Sequence, residues 1–292
     1  MSTAARYWQG KGVHSQCAVL LPAKKYARLT KKLLPVFCLL WPSLLLGQTS
    51  NADATANQQK AHEILTMAIQ ALGGPAWLNL RAVRTTGRTA AFFHGDPTGS
   101  VAQTVETFAF STNSLPMRER IDLASKGRVV QIYAGRQGWE VTYRGKRDLP
   151  PPQLASYLRW RDHSLRTALR VWFPDPKTML LYDGQTLMGR KLVDKVTLLN
   201  RSDDAITLEL DAQTHLPLRL SFSWRDPQFH DKNLDALEYD NYRQMDGIVT
   251  PFTVTRTHNG ETVSQRYLQD VQFNPALSED LFNPDRAAAH LK

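Results

Sequence analysis

The chain has 292 residues and a formal net charge of +9. Most of the excess positive charge lies in residues 1–50, which contain seven Lys or Arg and no acidic residue, whereas the rest of the chain has 29 basic and 27 acidic residues. This near balance argues against a nucleic-acid-binding domain, and because both cysteines (Cys17 and Cys38) lie in the leader, the body has no disulfide, thiol nucleophile or Cys-ligated metal.

The leader, residues 1–50, has the order of a secretory signal peptide. A Lys- and Arg-rich n-region is followed by a mostly apolar h-region, and together they occupy residues 24–47. The apolar run, Leu33–Gly47, is short for a membrane-spanning helix, which needs about twenty residues, and two prolines interrupt it. We therefore expect export to the periplasm. An N-terminal anchor in the inner membrane is the alternative.

The body begins with a helix and continues as strands. From Lys60 to Leu72, apolar residues recur at helical spacing, and the sequence Gly73-Gly74-Pro75 ends the helix. Short, turn-rich breaks then separate apolar and alternating runs, which suits antiparallel neighbours. Strands are predicted at about 82–93, 101–111, 117–123, 128–134 and 139–145.

A second helix is predicted over about Gln153–Trp172, with prolines on both sides. Apolar residues form one face of this central helix, and four arginines occupy the rest of its surface. We interpret the arginines as a solvated face. The alternative is a basic rim around a groove, which would attract lipid head groups or acidic partners.

The second half of the body is predicted to be a meander of strands. Asp246-Gly247 and Asn259-Gly260 mark two hairpin turns, because type I′ turns need residues that tolerate positive φ. The strands are expected at about 178–182, 185–199, 206–212, 216–224, 236–244, 248–256 and 262–273.

The strand Leu216–Trp224 alternates without a break, with five apolar side chains on one face. This face either packs in the protein's own core or lines a cavity for something else. Eleven or twelve strands and two helices of about four turns leave more apolar sheet than the helices can cover. Either the sheet folds on itself or part of it stays open as a groove, which indicates a ligand.

Catalytic patterns are weak in this sequence. Asp162, His163 and Ser164 are adjacent on a helix, so their side chains diverge and do not form a relay. Glu238 and Asp240 share one face of a strand, as many solvated carboxylates do. No histidines have ligand spacing. We therefore predict no catalytic residues, no metal site and no cofactor, so the protein is not expected to be an enzyme.

Three stretches resemble proteins of the LolA/LolB-like superfamily, which are periplasmic carriers that sort outer-membrane lipoproteins. They are "AIQALGGPAWLNLRAVRTTGR", "LELDAQTHLPLRLSF" and the C-terminal stretch from "YDNYRQMDGIVTPF" to "LFNPD". The residues that carry the likeness in the second and third stretches are Asp211, Thr214, Pro217, Arg219, Tyr239, Asp246, Gly247, Pro251, Phe282 and Pro284.

The resemblance implies a mainly β (α+β) fold: a large, curved antiparallel sheet that forms a half-open β-barrel, with the N-terminal and central helices over its mouth. We expect a single lipid-binding domain over residues 57–286 and a tail over 287–292. The apolar interior would accept lipid or lipoprotein acyl chains. The expected lining residues are Tyr157, Trp160, Leu165, Leu169, Leu218, Leu220, Phe222 and Trp224, with Arg159 and Arg166 at the rim.

The leading interpretation is a monomeric periplasmic carrier or binding protein for a lipid, a lipoprotein acyl chain or another apolar ligand, with only transient contact with the membrane surface. Two alternatives stay open. The same fold could serve an envelope sensor that binds a protein partner. A hydrolase acting on an envelope polymer would need polar residues such as Asp162, His163 and Glu238 to converge in a cleft.

Overall fold

The computed structural model of the protein describes residues 48–113, 115–124 and 127–291, with side chains from residue 52 onward. The predicted signal peptide and both cysteines lie outside these residues. Within them the strands are β1 Ala82–Phe93, β2 Asp96–Ala109, β3 Arg118–Ala124, β4 Arg128–Ala134, β5 Gln137–Thr142, β6 Gly145–Asp148, β7 Met179–Met188, β8 Lys191–Leu199, β9 Ala205–Asp211, β10 Pro217–Arg225, β11 Lys232–Met245, β12 Ile248–His258 and β13 Glu261–Phe273.

The described strands form one open antiparallel sheet of thirteen strands, in the order β6-β5-β4-β3-β2-β1-β13-β12-β11-β10-β9-β8-β7. Two meanders, β1–β6 and β7–β13, meet only where β1 pairs with β13, and we call this pairing the seam. The outermost strands, β6 and β7, do not pair with each other, so the sheet does not close. The predicted mainly β fold, a half-open barrel covered by helices, is confirmed.

At the seam, β1 and β13 approach closely at Gly87. The register between the two strands shifts after Thr86, and a Cβ atom on Gly87 would lie 2.2 Å from the backbone carbonyl oxygen of Tyr267. No side chain larger than hydrogen fits there without a backbone shift, which is a common reason for glycine within a strand.

Helices cover the concave face because the chain must cross it. The helices are α1 Gln48–Leu72, α2 Pro75–Leu78, α3 Pro151–Asp162, α4 Leu165–Thr167 and α5 Pro284–Leu291, with a π-helix at Ala168–Trp172 and a 3₁₀-helix at Glu279–Phe282. Strand β6 ends at one edge of the sheet and β7 begins at the other. The segment from α3 to the π-helix therefore spans the mouth. No helix in the described part of the chain is long and apolar enough to cross a membrane.

The central helix is interrupted, and the prediction of one helix over Gln153–Trp172 is wrong in this respect. Helix α3 ends at Asp162, and Ser164 has an extended backbone with φ −76° and ψ 159°. Its hydroxyl accepts a hydrogen bond from the Thr167 backbone N–H at 3.3 Å and so caps α4. A capping serine within an apolar periodic run marks the end of one helix and the start of the next.

The two faces of the sheet carry separate apolar cores. The larger core joins α1 and the π-helix to the inner face of strands such as β8, β9 and β10. The smaller core places Phe282 and Ala287 against Val130 and Ile132 of β4, on the outer face. Residues 287–291, expected to lie in a tail, belong to α5, which covers this outer face.

The edge strand β7 is protected by a side chain from α1. The Asn57 amide nitrogen donates to the carbonyl of Tyr182 at 2.8 Å, and the amide oxygen accepts from the Tyr182 backbone N–H at 2.9 Å. Both backbone groups of this edge residue are therefore satisfied, although no further strand lies beside it.

Candidate ligand cavity

A cavity of about 490 Å³ lies between the concave face and the helices. Its walls come from β1, β2 and β3 on one side of the seam, from β11, β12 and β13 on the other, and from α3 and α4 above. The volume falls within the range of about 300–1,000 Å³ that is usual for small-molecule sites. The cavity therefore straddles the seam between the two meanders.

One end of the cavity is apolar and closed. Val83 at the start of β1 pairs with Phe108 on one side and Phe273 on the other, and these three residues line this end. Trp77 and Leu80, on the segment between α1 and β1, complete it, and both are buried. We call this the apolar end.

The other end of the cavity is polar. Six residues onward from Val83, the inner face of β1 carries Thr89, whose hydroxyl lies 2.9 Å from the hydroxyl of Thr104. Ser264 and Arg256 face each other across β12 and β13 at the same end. We call this the polar end. It lies toward the β1–β2 hairpin, whose Phe93 is 70% exposed.

Two arginines share one carboxylate in the middle of the cavity. Arg266 of β13 donates to Glu106 of β2 and, at 2.5 Å, to the hydroxyl of Thr85. Arg166 of α4 lies 3.9 Å from the same Glu106 carboxylate, and its guanidinium stacks 4.5 Å from the ring centre of Phe108. Burial lowers the pKa of Arg266 to about 10, because it removes water from the charged form.

Arg256 is a third arginine of the cavity wall, and it has no carboxylate within 4 Å in the described structure. Its guanidinium lies over Trp160 at 3.9 Å from the ring centre, and its Nε is buried without a hydrogen-bond partner. Burial lowers its pKa to about 10. The negative charge of Asp235 raises the pKa of Arg256 and so offsets part of the effect of burial.

Glu119 of β3 is the second carboxyl in the wall, and it is held by a tyrosine. The Tyr157 hydroxyl donates to its Oε2 at 2.5 Å, while the rings of Tyr157 and Tyr133 stack with centres 3.4 Å apart. Burial raises the pKa of Glu119 despite this hydrogen bond and the nearby Arg166. Burial therefore makes the charged form of Glu119 less favourable than that of a solvated carboxyl group.

The structure places the predicted lining residues in two groups. Tyr157, Trp160, Leu165 and Arg166 line the cavity. The others do not line it. Leu169, Leu220 and Phe222 lie in the larger core, Trp224 packs against that core, Leu218 is buried at a register shift in β10, and Arg159 lies beside Asp235.

The apolar face of β10 is therefore packed beneath the central helices. The ring of Phe222 stacks on His163 at 4.1 Å between centres and meets Trp160 edge-on at 5.1 Å. Leu220 is fully buried in the same core. The alternation in this strand marks core, and the predicted residues that do line the cavity all come from the central helix segment.

Arg159 is held by a polar cluster at one side of the mouth. Its guanidinium lies 3.5 Å from the ring centre of Trp224 and its Nε lies 3.8 Å from the Asp235 carboxylate. Asp235 also accepts from the Trp224 indole N–H at 2.9 Å and lies 2.7 Å from His258 Nδ1. Together with the stacking of Arg166 on Phe108, this shows that the arginines of the central helix pack on aromatic rings, so the interpretation as a solvated face is wrong.

The residues considered for hydrolysis do not converge. His163 bonds to Asp204 through Nε2 at 2.9 Å and lies 2.7 Å from the Arg159 carbonyl oxygen through Nδ1. Glu238 lies 4.0 Å from Arg219 on β10. Neither His163 nor Glu238 lines the cavity. In the described part of the chain, no group of three potential metal ligands comes together.

The charged residues of the cavity wall were not among the predicted site residues. Glu106, Glu119, Arg256 and Arg266 lie in predicted strands, and none of them was singled out from the sequence. The sequence of β2 does contain a signal for such a residue. Glu106 lies two residues before the buried Phe108, so its side chain is on the same, inner face of the strand. A charge in register with an apolar series indicates a polar group on the inner face.

Comparison with solved structures finds the same fold. A DUF1329 family protein from Desulfovibrio piger superposes with a TM-score of 0.53 and 12% sequence identity, over 81% of this chain and 99% of that chain. A putative outer membrane lipoprotein-sorting protein domain from Vibrio parahaemolyticus gives 0.49 and 12% identity, over 78% and 97% of the two chains. A LolA superfamily protein from Nitrosomonas europaea gives 0.45 and 14%, over 77% and 98%.

The sequence matches no protein-family model and no curated protein sequence. The likeness to the DUF1329 family protein is a likeness of fold. At this level of identity the likeness shows the architecture alone, so the contents of the cavity must be argued from its own residues.

Proposed function

We propose that the protein is a non-catalytic, periplasmic binding protein that carries a lipid, a lipoprotein acyl chain or another apolar ligand. The observation that carries this proposal is the cavity of about 490 Å³ between sheet and helices, whose closed end is built from Val83, Phe108, Phe273, Trp77 and Leu80. A methylene moved from water into such a site contributes about 0.8 kcal/mol, so an acyl chain gains several kcal/mol before ordering costs.

The helices over the mouth supply the route of entry in this proposal. The segment from α3 to the π-helix is broken at His163 and Ser164, so its parts can move separately over the sheet. Tyr157, Trp160 and Leu165 on this segment line the cavity and would leave it together with the segment. Binding is then reversible, with the chain sheltered while the segment is closed.

The test uses protein secreted into a bacterial periplasm and purified without detergent. Native mass spectrometry followed by organic extraction shows whether an acyl-chain species accompanies the protein. After delipidation, uptake of the neutral fluorescent probe N-phenyl-1-naphthylamine gives an affinity. N-terminal sequencing of the periplasmic fraction tests export and locates the cleavage site.

A pair of variants ties the result to the cavity. Ile121→Trp places a large ring into the cavity wall, whereas Leu192→Trp makes a comparable change at a position that is 45% exposed and outside the cavity. We expect Ile121→Trp to abolish probe uptake while Leu192→Trp retains it, with both variants folded by circular dichroism. A wild-type protein that carries nothing and takes up no probe would contradict the proposal and favour the envelope sensor that binds a protein partner.

A further inference from the structure

The cavity contains more positive charge than its own carboxyl groups can neutralise. Arg166 and Arg266 share the Glu106 carboxylate, and Arg256 has no carboxylate within 4 Å in the described structure. The remaining carboxyl, Glu119, is buried and held by the Tyr157 hydroxyl. A buried cation without a partner is costly, and proteins normally pair such groups.

Arg256 lies at the polar end, and Arg266, which shares Glu106 with Arg166, lies beside it. Arg256 pairs with Ser264 across β12 and β13, and Arg266 lies two residues further along β13 on the same face. Diagonal neighbours of this kind lie about 7–8 Å apart, close enough for two guanidinium groups to reach one small anion. Like charges at this spacing repel each other, so the arrangement is unfavourable unless an anion lies between them.

Hydrogen-bond donors without a partner also lie at the polar end of the cavity. The Nε atoms of Arg256 and Arg266 are buried and have no hydrogen-bond partner among the described residues. Ser264 and Thr89 line the same end of the cavity. A carboxylate or phosphate group accepts several such hydrogen bonds at once, and guanidinium groups match its geometry.

The two ends of the cavity define the orientation of a ligand. The apolar end is closed by Trp77 and Leu80, and the polar end lies toward the exposed β1–β2 hairpin. An amphiphile would therefore place its chain at the apolar end and its head group at the polar end. This arrangement is that of a site for a chain with a terminal charge, and a wholly neutral chain would leave Arg256 without an anionic partner.

We propose that the cavity selects single-chain amphiphiles with an anionic head group, a carboxylate or a phosphate, held between Arg256 and Arg266 with the chain directed toward Trp77 and Leu80. This inference rests on the proposed function, whose ligand class it narrows. The observation that supports this inference is the excess of arginines over carboxylates in the cavity wall.

The experiment compares three ligands of equal chain length: dodecanoate, dodecyl phosphate and dodecanol. Each displaces N-phenyl-1-naphthylamine from the delipidated, full-length mature protein at a salt concentration that screens surface charges. A hydrogen-bonded charged group adds enough affinity that we expect at least one anion to bind about tenfold or more tightly than dodecanol. The stronger of the two anions then identifies the head group, a fatty acid or a phosphate ester.

Variants locate the head group. Arg256→Gln removes the arginine without a carboxylate contact and is expected to reduce the ratio of anion affinity to dodecanol affinity to near unity. Arg266→Gln should act similarly, although it also removes a partner of Glu106. Arg88→Gln makes the same change in charge on the exposed face of β1 and should leave the preference intact.

The outcomes separate the two proposals. Equal binding of dodecanol and both anions would overturn the anion site and leave the apolar-ligand function standing. Failure of all three ligands to bind would overturn the function, and with it the anion site. A preference for anions that persists in both Arg256→Gln and Arg266→Gln would overturn the placement of the head group between these arginines.

Discussion

Replacement of Phe222 by alanine distinguishes core from cavity on the inner face of the sheet. Phe222 is 2% exposed, stacks on His163 and meets Trp160 edge-on. Loss of a buried phenylalanine costs about 3–5 kcal/mol of unfolding free energy through lost transfer energy and the void left behind. The two ring contacts place the expected loss in the upper half of this range, since each such pair adds about 0.5–1.5 kcal/mol.

The matched comparison is Leu237→Ala. Leu237 lies on the neighbouring strand β11, is half-buried and already lines the cavity. Its truncation enlarges an existing space and creates no new isolated void, so we expect at most about 2 kcal/mol, the lower end for Leu→Ala. Probe binding should respond in the opposite order: Leu237→Ala changes the affinity, and Phe222→Ala leaves the affinity of the folded protein unchanged.

Urea unfolding followed by far-UV circular dichroism measures both variants, with equal m-values as the sign that the same surface is exposed. Probe titration at low temperature, where both are folded, gives the affinities. The reasoning is refuted if Phe222→Ala is no more destabilising than Leu237→Ala and also weakens probe binding. That result would mean that the apolar face of β10 lines the ligand site.

Three further predictions concern stability and association. Gly87→Ala should strongly destabilise the protein in urea unfolding, because its Cβ would lie 2.2 Å from a carbonyl oxygen of β13; a variant as stable as wild type would contradict that close approach. Burial lowers the pKa of His163, but the bonds to Asp204 and a backbone carbonyl outweigh burial and raise it overall. The stabilisation that protonated His163 gives to the fold is therefore complete below the unfolded pKa of about 6.5 and is lost as pH rises through the higher folded pKa. Wild type should lose more unfolding free energy than His163→Gln between about pH 5.5 and about pH 8.5. Equal slopes of unfolding free energy against pH in the two proteins would refute this. Asn57→Leu should lower the unfolding free energy by about 1–3 kcal/mol, because two backbone groups of Tyr182 lose their partners. Light scattering should then detect self-association through the exposed edge of β7. A variant that stays a stable monomer would contradict this prediction.

The strands could be predicted from the sequence because their signals are local. β4 lies at 128–134 as predicted, and the turns at Asp246-Gly247 and Asn259-Gly260 contain residues with positive φ, as type I′ chemistry requires. Alternation also assigned the apolar side chains of β10 correctly to one face. What alternation cannot tell is whether a face is packed or open, since core and cavity wall use the same residue types.

The polar end of the cavity could not be predicted, because it depends on residues far apart in the chain. Arg266 meets Glu106 across 160 positions, through a pairing of β1 with β13 that no turn signal announces. The break in the central helix was missed for the opposite reason. Its apolar spacing continues through Ser164, and the local cap outweighs the periodic pattern there.

The seam also determines when the cavity can exist. Its walls come from the first three strands and the last three, so no contiguous part of the chain shorter than nearly the whole sheet contains the site. Synthesis delivers the amino terminus first. A chain still emerging from the ribosome therefore has β1–β3 but no opposite wall, and its cavity is incomplete. The two walls come together only when β13 has been made and has paired with β1.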